Sequence, residues 1–286
     1  MANLKEIRNR IASIGSTMQI TSAMKMVSAA KLKKAQDAIT AMRPYSSKLT
    51  ELLQNLSATL DSDAGGAYSK QREVSKVLLV VVTSNRGLCG GFNSSVIKET
   101  TQNIAANYQD VDVDLLTIGK KGNDILSKSY SVIDARNDIF DNLTFDFVAE
   151  VAEKIMKLYA DGTYDKIEII YNRFKNAATQ IPQVEQFLPI KPVEGDTNAS
   201  ADYIFEPSKE KIVLELIPKS LKTQLYKAVR DSFAAEHGAR MTAMHKATDN
   251  ATELRDELKL TYNKARQAAI TNEILEIVGG AEALKN

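Results

Sequence analysis

The chain has 286 residues, 44% of them hydrophobic, enough to fill a substantial core. Its 37 Lys and Arg balance 36 Asp and Glu at a formal net charge of +1, which points to no nucleic-acid partner. The single cysteine, Cys89, excludes an internal disulfide and any Cys-x-x-Cys metal site, and suits a reducing compartment.

From the N-terminus, Met1 to Glu6 shows no charged-then-apolar targeting pattern. Residues 3–60 contain one proline, Pro44, and one glycine, Gly15. Leu4, Ile7, Ile11, Ile14 and Met18 step 3-4-3-4, the period of a coiled-coil stripe. The pattern is expected to resume at Ile20, Met24 and Val27, then at Met42, Tyr45, Leu49, Leu52 and Leu56. We therefore predict one long N-terminal helix over 1–60, bent near Pro44, where proline removes an i→i−4 hydrogen bond. It carries nine cations (Lys5, Arg8, Arg10, Lys25, Lys31, Lys33, Lys34, Arg43, Lys48) against Glu6, Asp37 and Glu51. A solvated face is the usual meaning of such a run, but along so extended an element it favours an acidic partner.

After a Gly/Ser/Asp-rich stretch at 62–71 the period becomes strand-like. Lys76–Thr83, Val113–Ile118 and Ile167–Tyr171 are apolar runs of buried-strand length, and Val184–Ile190 is a weaker fourth. The longest of them, Val77–Val82, is far too short to span a bilayer. Helical stretches at Asn93–Tyr108, Gly122–Ser129 and Phe145–Tyr159 separate the strands. This alternation predicts an α/β, Rossmann-like domain over 72–195 with a mostly parallel sheet. A second polar loop is expected at 193–201.

From Lys219 to Val278 there is no proline and only Gly238 interrupts. Leu221, Leu225, Val229 and Phe233, then Met241, Met244, Ala251, Leu254, Leu258 and Ala265, mark a C-terminal helix within 208–286, with Gly279-Gly280 as its expected stop. Sixty helical residues would measure about 90 Å. Neither rod hides its stripe alone, so the two are expected to pair antiparallel.

Candidate chemistry is sparse. The turn Thr83–Phe92 follows a strand and precedes a helix, where phosphates often bind, but it lacks both the Gly-Lys-Ser/Thr ending of a P-loop and the G-x-G-x-x-G spacing. A tight turn using glycine for positive φ is the favoured reading. No histidine lies in the central domain to serve Cys89 as a base, so a buried thiol is expected. His237 and His245, two helical turns apart, are too distant to share a metal and are expected to be exposed or partner-facing. Glu253, Asp256 and Glu257 beside Arg255 and Lys259 read as a solvated helix face. Nothing assembles nucleophile, base and orienting group, and neither cofactor nor metal is expected. The C-terminal end, with Ile274, Leu275, Ile277, Val278 and Leu284, is apolar enough to be buried in another protein.

Four segments together resemble the gamma subunit of the F-type ATP synthase: Ile7–Gln36, Ser84–Ser94, Glu236–Ala251 and, most strongly, Tyr262–Leu284. The resemblance implies a non-catalytic rotating shaft inside a ring of alpha and beta subunits. Its α/β domain would meet the epsilon subunit and the ring of c subunits, at the cytoplasmic face of a bacterial membrane and with membrane contact only through partners. By the same resemblance Arg266 and Gln267 would touch a loop of the beta subunit, and Met24, Lys25 and Arg240 would face its acidic lever. Ile274, Leu275, Ile277, Val278 and Leu284 would form the tip held in an apolar sleeve. Asn85 stands where the family commonly has Asp, and the cysteine pair of chloroplast forms is missing. Two other readings compete: a nucleotide-binding oxidoreductase or kinase-like domain with helical arms, and a coiled-coil adaptor unrelated to rotation.

Overall fold

A computed structural model describes residues 4–57, 68–190 and 209–283. The chain divides into two compact units, one made of residues 1–28 with 241–286 and the other of residues 29–240. Two long helices, α1 (Leu4–Ser57) and α5 (Lys209–Ala283), contribute to both.

The second unit is built on a five-stranded sheet. Its elements run β1 (Lys76–Val82), α2 (Phe92–Asn107), β2 (Asp112–Ile118), α3 (Lys120–Leu126), β3 (Ser131–Arg136), α4 (Phe145–Ala160), β4 (Lys166–Phe174) and β5 (Gln180–Leu188). Strand order is β3-β2-β1-β4-β5, with β1 to β4 parallel and β5 antiparallel to β4. Val77–Val82 is wholly buried because helices cover both faces of the sheet, which is why a β-branched run without alternation forms a strand here. Leu78, Val80 and Val82 pack with Val148, Val151, Ile155 and Tyr159 of α4 and with Leu221, Leu225 and Val229 of α5. Val77, Leu79 and Val81 face Val96 and Tyr108 of the α2 region and Leu126 of α3.

Two strands differ from expectation. β3 was not predicted: its alternation of exposed and half-buried positions on a sheet edge leaves no apolar run to detect. β5 begins at Gln180 rather than Val184 and includes Pro182, whose missing N–H is tolerated at an edge. The carbonyl of Gln186 is taken by the Gln224 side chain of α5 at 3.2 Å, which further blunts that edge.

The helices also depart from the sequence reading. α5 starts at Lys209 and runs through Pro218, where burial of Ile217 and Leu221 on the sheet outweighs the proline penalty. It continues through Gly279-Gly280 to Ala283, so those glycines do not end it. The loop expected at 193–201 and most of that at 62–71 lie outside the described residues, as does Leu284.

In the first unit the two chain ends pair antiparallel. Moving ten residues back along α1, from Met18 to Arg8, moves ten forward along α5, from Thr252 to Tyr262. The buried or half-buried seam positions of α1 are Leu4, Ile7, Ile11, Ile14, Met18, Thr21, Lys25 and Ser28, an unbroken 3-4 alternation. Those of α5 are Met244, Thr248, Ala251, Arg255, Leu258, Tyr262 and Ala265. The seam thus corrects the expectation at Ile20 and Val27, which are exposed, and at Leu254, displaced by Arg255. Polar side chains can hold seam positions because their hydroxyls are satisfied locally. Thr21 donates to the Met18 carbonyl, Ser28 to Met24 and Thr248 to Met244, while Thr21 and Thr248 meet across the seam at 2.8 Å.

Candidate functional site

In a doubly wound sheet, ligands bind over the carboxyl ends of the strands where the order reverses, here between β1 and β4. The segments leaving those two strands both pack on α5. After β4, Ala177 lies so close to Gly238 that a Cβ there would stand 3.1 Å from the Ala177 Cα and 3.2 Å from its oxygen. After β1, the turn at residues 83–91 presents the carbonyls of Arg86 and Gly87, and the Arg240 guanidinium donates to both, at 3.1 and 3.3 Å. The place a nucleotide would take is filled by the protein's own helix.

The turn is held from every side. Thr83 Oγ1 accepts from the Gly122 amide at 2.8 Å and donates to the Gly119 carbonyl at 3.2 Å. Gly119 has φ of +102°, and a Cβ there would sit 2.3 Å from the Thr83 carbonyl oxygen, so only glycine fits. Ser84 donates from its hydroxyl to the Arg86 carbonyl at 2.7 Å and from its amide to Asn93 Oδ1 at 2.9 Å. Asn85 accepts from the Lys120 amide at 3.0 Å and donates to the Asn137 carbonyl at 2.7 Å. That double role answers what this side chain does: an aspartate could accept from Lys120 but could not donate to Asn137. Cys89 is buried among Phe92, Ala235 and Ala239, and burial pushes its thiol pKa up, away from a nucleophilic thiolate.

Against this turn lies a buried polar cluster on α5. Arg240 forms an i,i+4 ion pair with Glu236, and each side chain is below one-tenth exposed. Burial raises the Glu236 carboxyl pKa despite the pull of Arg240, Lys31 and Arg86. His237 is 5% exposed, and burial, with Arg240 and Lys31 nearby, pushes its pKa down to about 3. The imidazole is therefore neutral. Its Nδ1 faces Arg240 Nη1 at 3.5 Å, its ring packs edge-on to Phe233, and Nε2 has no hydrogen-bond partner among the described residues. The sequence places His237 as exposed or partner-facing and Arg240 as facing a partner; in this chain alone both side chains are buried, His237 at 5% and Arg240 at 7% exposure. In sequence, Glu236 and Arg240 look like any exposed i,i+4 pair, and only their packing against the turn distinguishes them. His245 is exposed and sits 3.3 Å from Asp249.

Among the described residues no group of three or more His, Cys, Asp or Glu side chains is placed to hold a metal ion. Arg255 and Lys259 both reach Asp256, on a helix face where Glu253, Asp256 and Glu257 are all exposed.

The first unit offers two outward surfaces. By the antiparallel register Leu4, the first described residue of α1, falls opposite about Arg266, and from Ile270 to Glu282 every residue of α5 is exposed. Ile274, Leu275, Ile277 and Val278 are there 55% to 71% exposed, and Arg266 and Gln267 are exposed just before them. On α1, Ile20, Ala23 and Val27 form an exposed apolar line beside the seam, with Met24 half-buried next to it and Lys25 half-buried in the seam itself. No helix among the described residues is long and apolar enough to cross a membrane. Such apolar helix surfaces call for protein partners.

The family model for ATP synthase matches residues 3–284. The chain is 74% identical to the ATP synthase gamma chain of Flavobacterium psychrophilum over the full length of both. It is 54% identical to that of Cytophaga hutchinsonii, again covering all of both chains. Among solved structures it resembles a chain of the Tetrahymena thermophila mitochondrial ATP synthase central stalk and c-ring, with a TM-score of 0.61 and 28% identity, covering 80% of this chain and 99% of that one. A chain of the Euglena gracilis mitochondrial ATP synthase, solved with OSCP, F1 and c-ring, shares the fold at a TM-score of 0.70 and 21% identity, covering 98% and 94%.

Proposed function

The chain belongs to the ATP synthase gamma-chain family, and on that premise we propose how its parts serve as the non-catalytic central stalk of the enzyme. The stalk couples ion-driven rotation of a c-ring to conformational change at the nucleotide sites of the head, in synthesis or hydrolysis. The observation that carries this assignment in the chain itself is the end of α5: a regular helix whose Ile270, Ile274, Leu275, Ile277 and Val278 all face solvent. An apolar helix end of this kind is stable in water only at a cost and suits a sleeve built by other subunits. A sleeve with few hydrogen bonds also lets the tip turn without breaking strong directional contacts at each step.

The functional division runs as a shaft of residues 1–60 and 208–286 and an α/β domain of 72–195. The alpha and beta subunits surround the shaft, while the α/β domain meets epsilon and the c-ring. The complex sits at the cytoplasmic face of a bacterial plasma membrane, and this chain touches the membrane only through its partners. Three chemically identical beta subunits can be driven to different states only by a shaft that offers each a different face, since equal contact shifts no equilibrium. Arg266 and Gln267, exposed at the base of the tip, serve as angle-dependent holding points; arginine suits the role because its fork pairs with carboxylates in two-pronged fashion. Met24 and Lys25 contribute from the α1 side. Arg240 acts indirectly, through the turn it clamps.

The test is Arg266→Ala with Gln267→Ala in the assembled enzyme. Ions pumped per ATP hydrolysed should fall while the isolated subunit keeps its melting temperature. Pumping equal to wild type would remove these two positions from the coupling surface.

A further inference from the structure

The antiparallel seam holds a methionine in company that a thioether does not need. Met18 of α1 is half-buried, and its Sδ faces two donors on α5, Thr252 Oγ1 at 3.3 Å and Arg255 Nη1 at 3.6 Å. Among the described residues it is the one methionine whose sulfur meets hydrogen-bond donors.

Neither donor is well used. A thioether is a weak acceptor, so the Arg255 prong aimed at it gains little. The rest of the guanidinium, Nε and Nη2, is engaged with Asp256 at 3.0 Å, and Nη1 has no other acceptor among the described residues. The Thr252 hydroxyl divides its single proton between the sulfur and the Thr248 carbonyl, 2.9 Å away. Arg255 stands at a seam position where an apolar residue would pack better, and this prong is what it offers across to α1.

We propose that Met18 is an oxidation site, and that Thr252 and Arg255 form a ready-made receptor for its sulfoxide oxygen. The oxidant is a peroxide. A sulfur lone pair attacks the outer oxygen of hydrogen peroxide, and the S–O bond forms as the O–O bond breaks. The proton on the transferred oxygen passes to the departing hydroxide to make water; sulfur loses two electrons and the peroxide takes them. The product carries a strong acceptor in place of a weak one. Oxidised methionine commonly disrupts packing, because its oxygen is left without partners. Here the oxygen enters between two donors, one of them permanently charged, and its bond to Arg255 is charge-assisted. Oxidation therefore ties α1 to α5 more firmly and stiffens the paired helices. The half-buried seam leaves peroxide a way in, and the long arginine has room to draw back. All of these contacts lie within the seam, and none depends on the central-stalk reading.

The experiment exposes the full chain to dilute hydrogen peroxide and locates each added oxygen by peptide mass spectrometry. Met26, 65% exposed, is oxidised as well, so every comparison is made against Met18→Leu treated in the same way. Hydrogen exchange at the α1 amides from Ile14 to Lys25 should slow on the order of tenfold in the oxidised wild type relative to its untreated form, and should not slow in Met18→Leu. Arg255→Leu keeps the seam apolar and folded but removes the charged donor; there the same oxidation should leave exchange unchanged or faster. Reduction by methionine sulfoxide reductases should restore the wild-type rate. Met18 that stays a thioether while Met26 is oxidised overturns the proposal. So does exchange that quickens when the wild type is oxidised, or that slows equally in Arg255→Leu.

Discussion

Lowering the pH from 7 to 5 should destabilise the second unit through His237. Its folded pKa lies near 3 against an ordinary value of 6.5, because the ring is buried and Arg240 and Lys31 stand close by. Between these two values the unfolded chain binds a proton that the folded one refuses, so stability falls as the pH drops below 6.5. At pH 5 the loss amounts to at most about 2 kcal/mol, 1.5 pH units at 1.36 kcal/mol each. Glu236 opposes the effect: its raised pKa makes the folded chain hold a proton more tightly, so its contribution improves as the pH falls through that window. The comparison that isolates the histidine is therefore wild type against His237→Gln, which cannot become charged. At about 2–4 °C per kcal/mol for a chain of this size, wild type should lose roughly 4–8 °C more than the variant between pH 7 and 5. Thermal melts followed by circular dichroism at the two pH values suffice. Parallel melting curves would mean that the imidazole reaches solvent, and the enclosed cluster derived above would be wrong.

Three further outcomes follow from single contacts. Gly238→Leu should destabilise by roughly 1–3 kcal/mol despite its better helix propensity, because its Cβ alone meets Ala177 at 3.1 Å; a raised melting temperature would show that α5 does not pack on that loop. Asn85→Ala removes the bonds to Lys120 and Asn137 and should cost about 1–2 kcal/mol in urea unfolding, whereas Asn85→Asp, which keeps the acceptor, should cost less. Thr21→Val removes the contact between Thr21 and Thr248 while Thr248 keeps its bond to the Met244 carbonyl, so the double change Thr21→Val with Thr248→Val should cost less than the sum of the two single changes; strict additivity of two losses would deny the shared hydrogen bond.

The elements that sequence made legible are those whose burial is complete. β1 is apolar at six consecutive positions and could be little else, and α4 places Val148, Val151, Ala152, Ile155 and Tyr159 at helical spacing on the core. The apolar end of α5 was equally plain, because nothing among the described residues covers it. Legibility failed where a side chain's surroundings contradict its chemistry. Thr21, Lys25 and Ser28 occupy a seam that Ile20 and Val27 seemed to claim, and the register is visible only once the hydroxyls of Thr21 and Ser28 are seen bonding within the helix. The clamp was hidden for a related reason. Glu236, His237 and Arg240 carry the marks of a solvated helix face, and their burial is imposed by a turn about 150 residues earlier in the chain. No local pattern encodes a contact of that separation.

The crevice between β1 and β4, where a nucleotide-binding topology seats its ligand, is occupied here by α5. In that arrangement the turn after the first strand offers backbone groups to a ligand, and here Arg240 and Gly238 take the ligand's place. A free ligand dissociates, whereas a helix tethered to the same chain meets the crevice at an effective concentration that no solution reaches. The usual glycine requirement is inverted as well: the residue that must be small lies on the occupant, at Gly238, so that two backbones can approach. For a stalk that must transmit torque through α5, a permanently filled crevice makes the sheet a mount for the helix, and any substitution that loosens the Arg240 clamp should weaken that mount before it unfolds the domain.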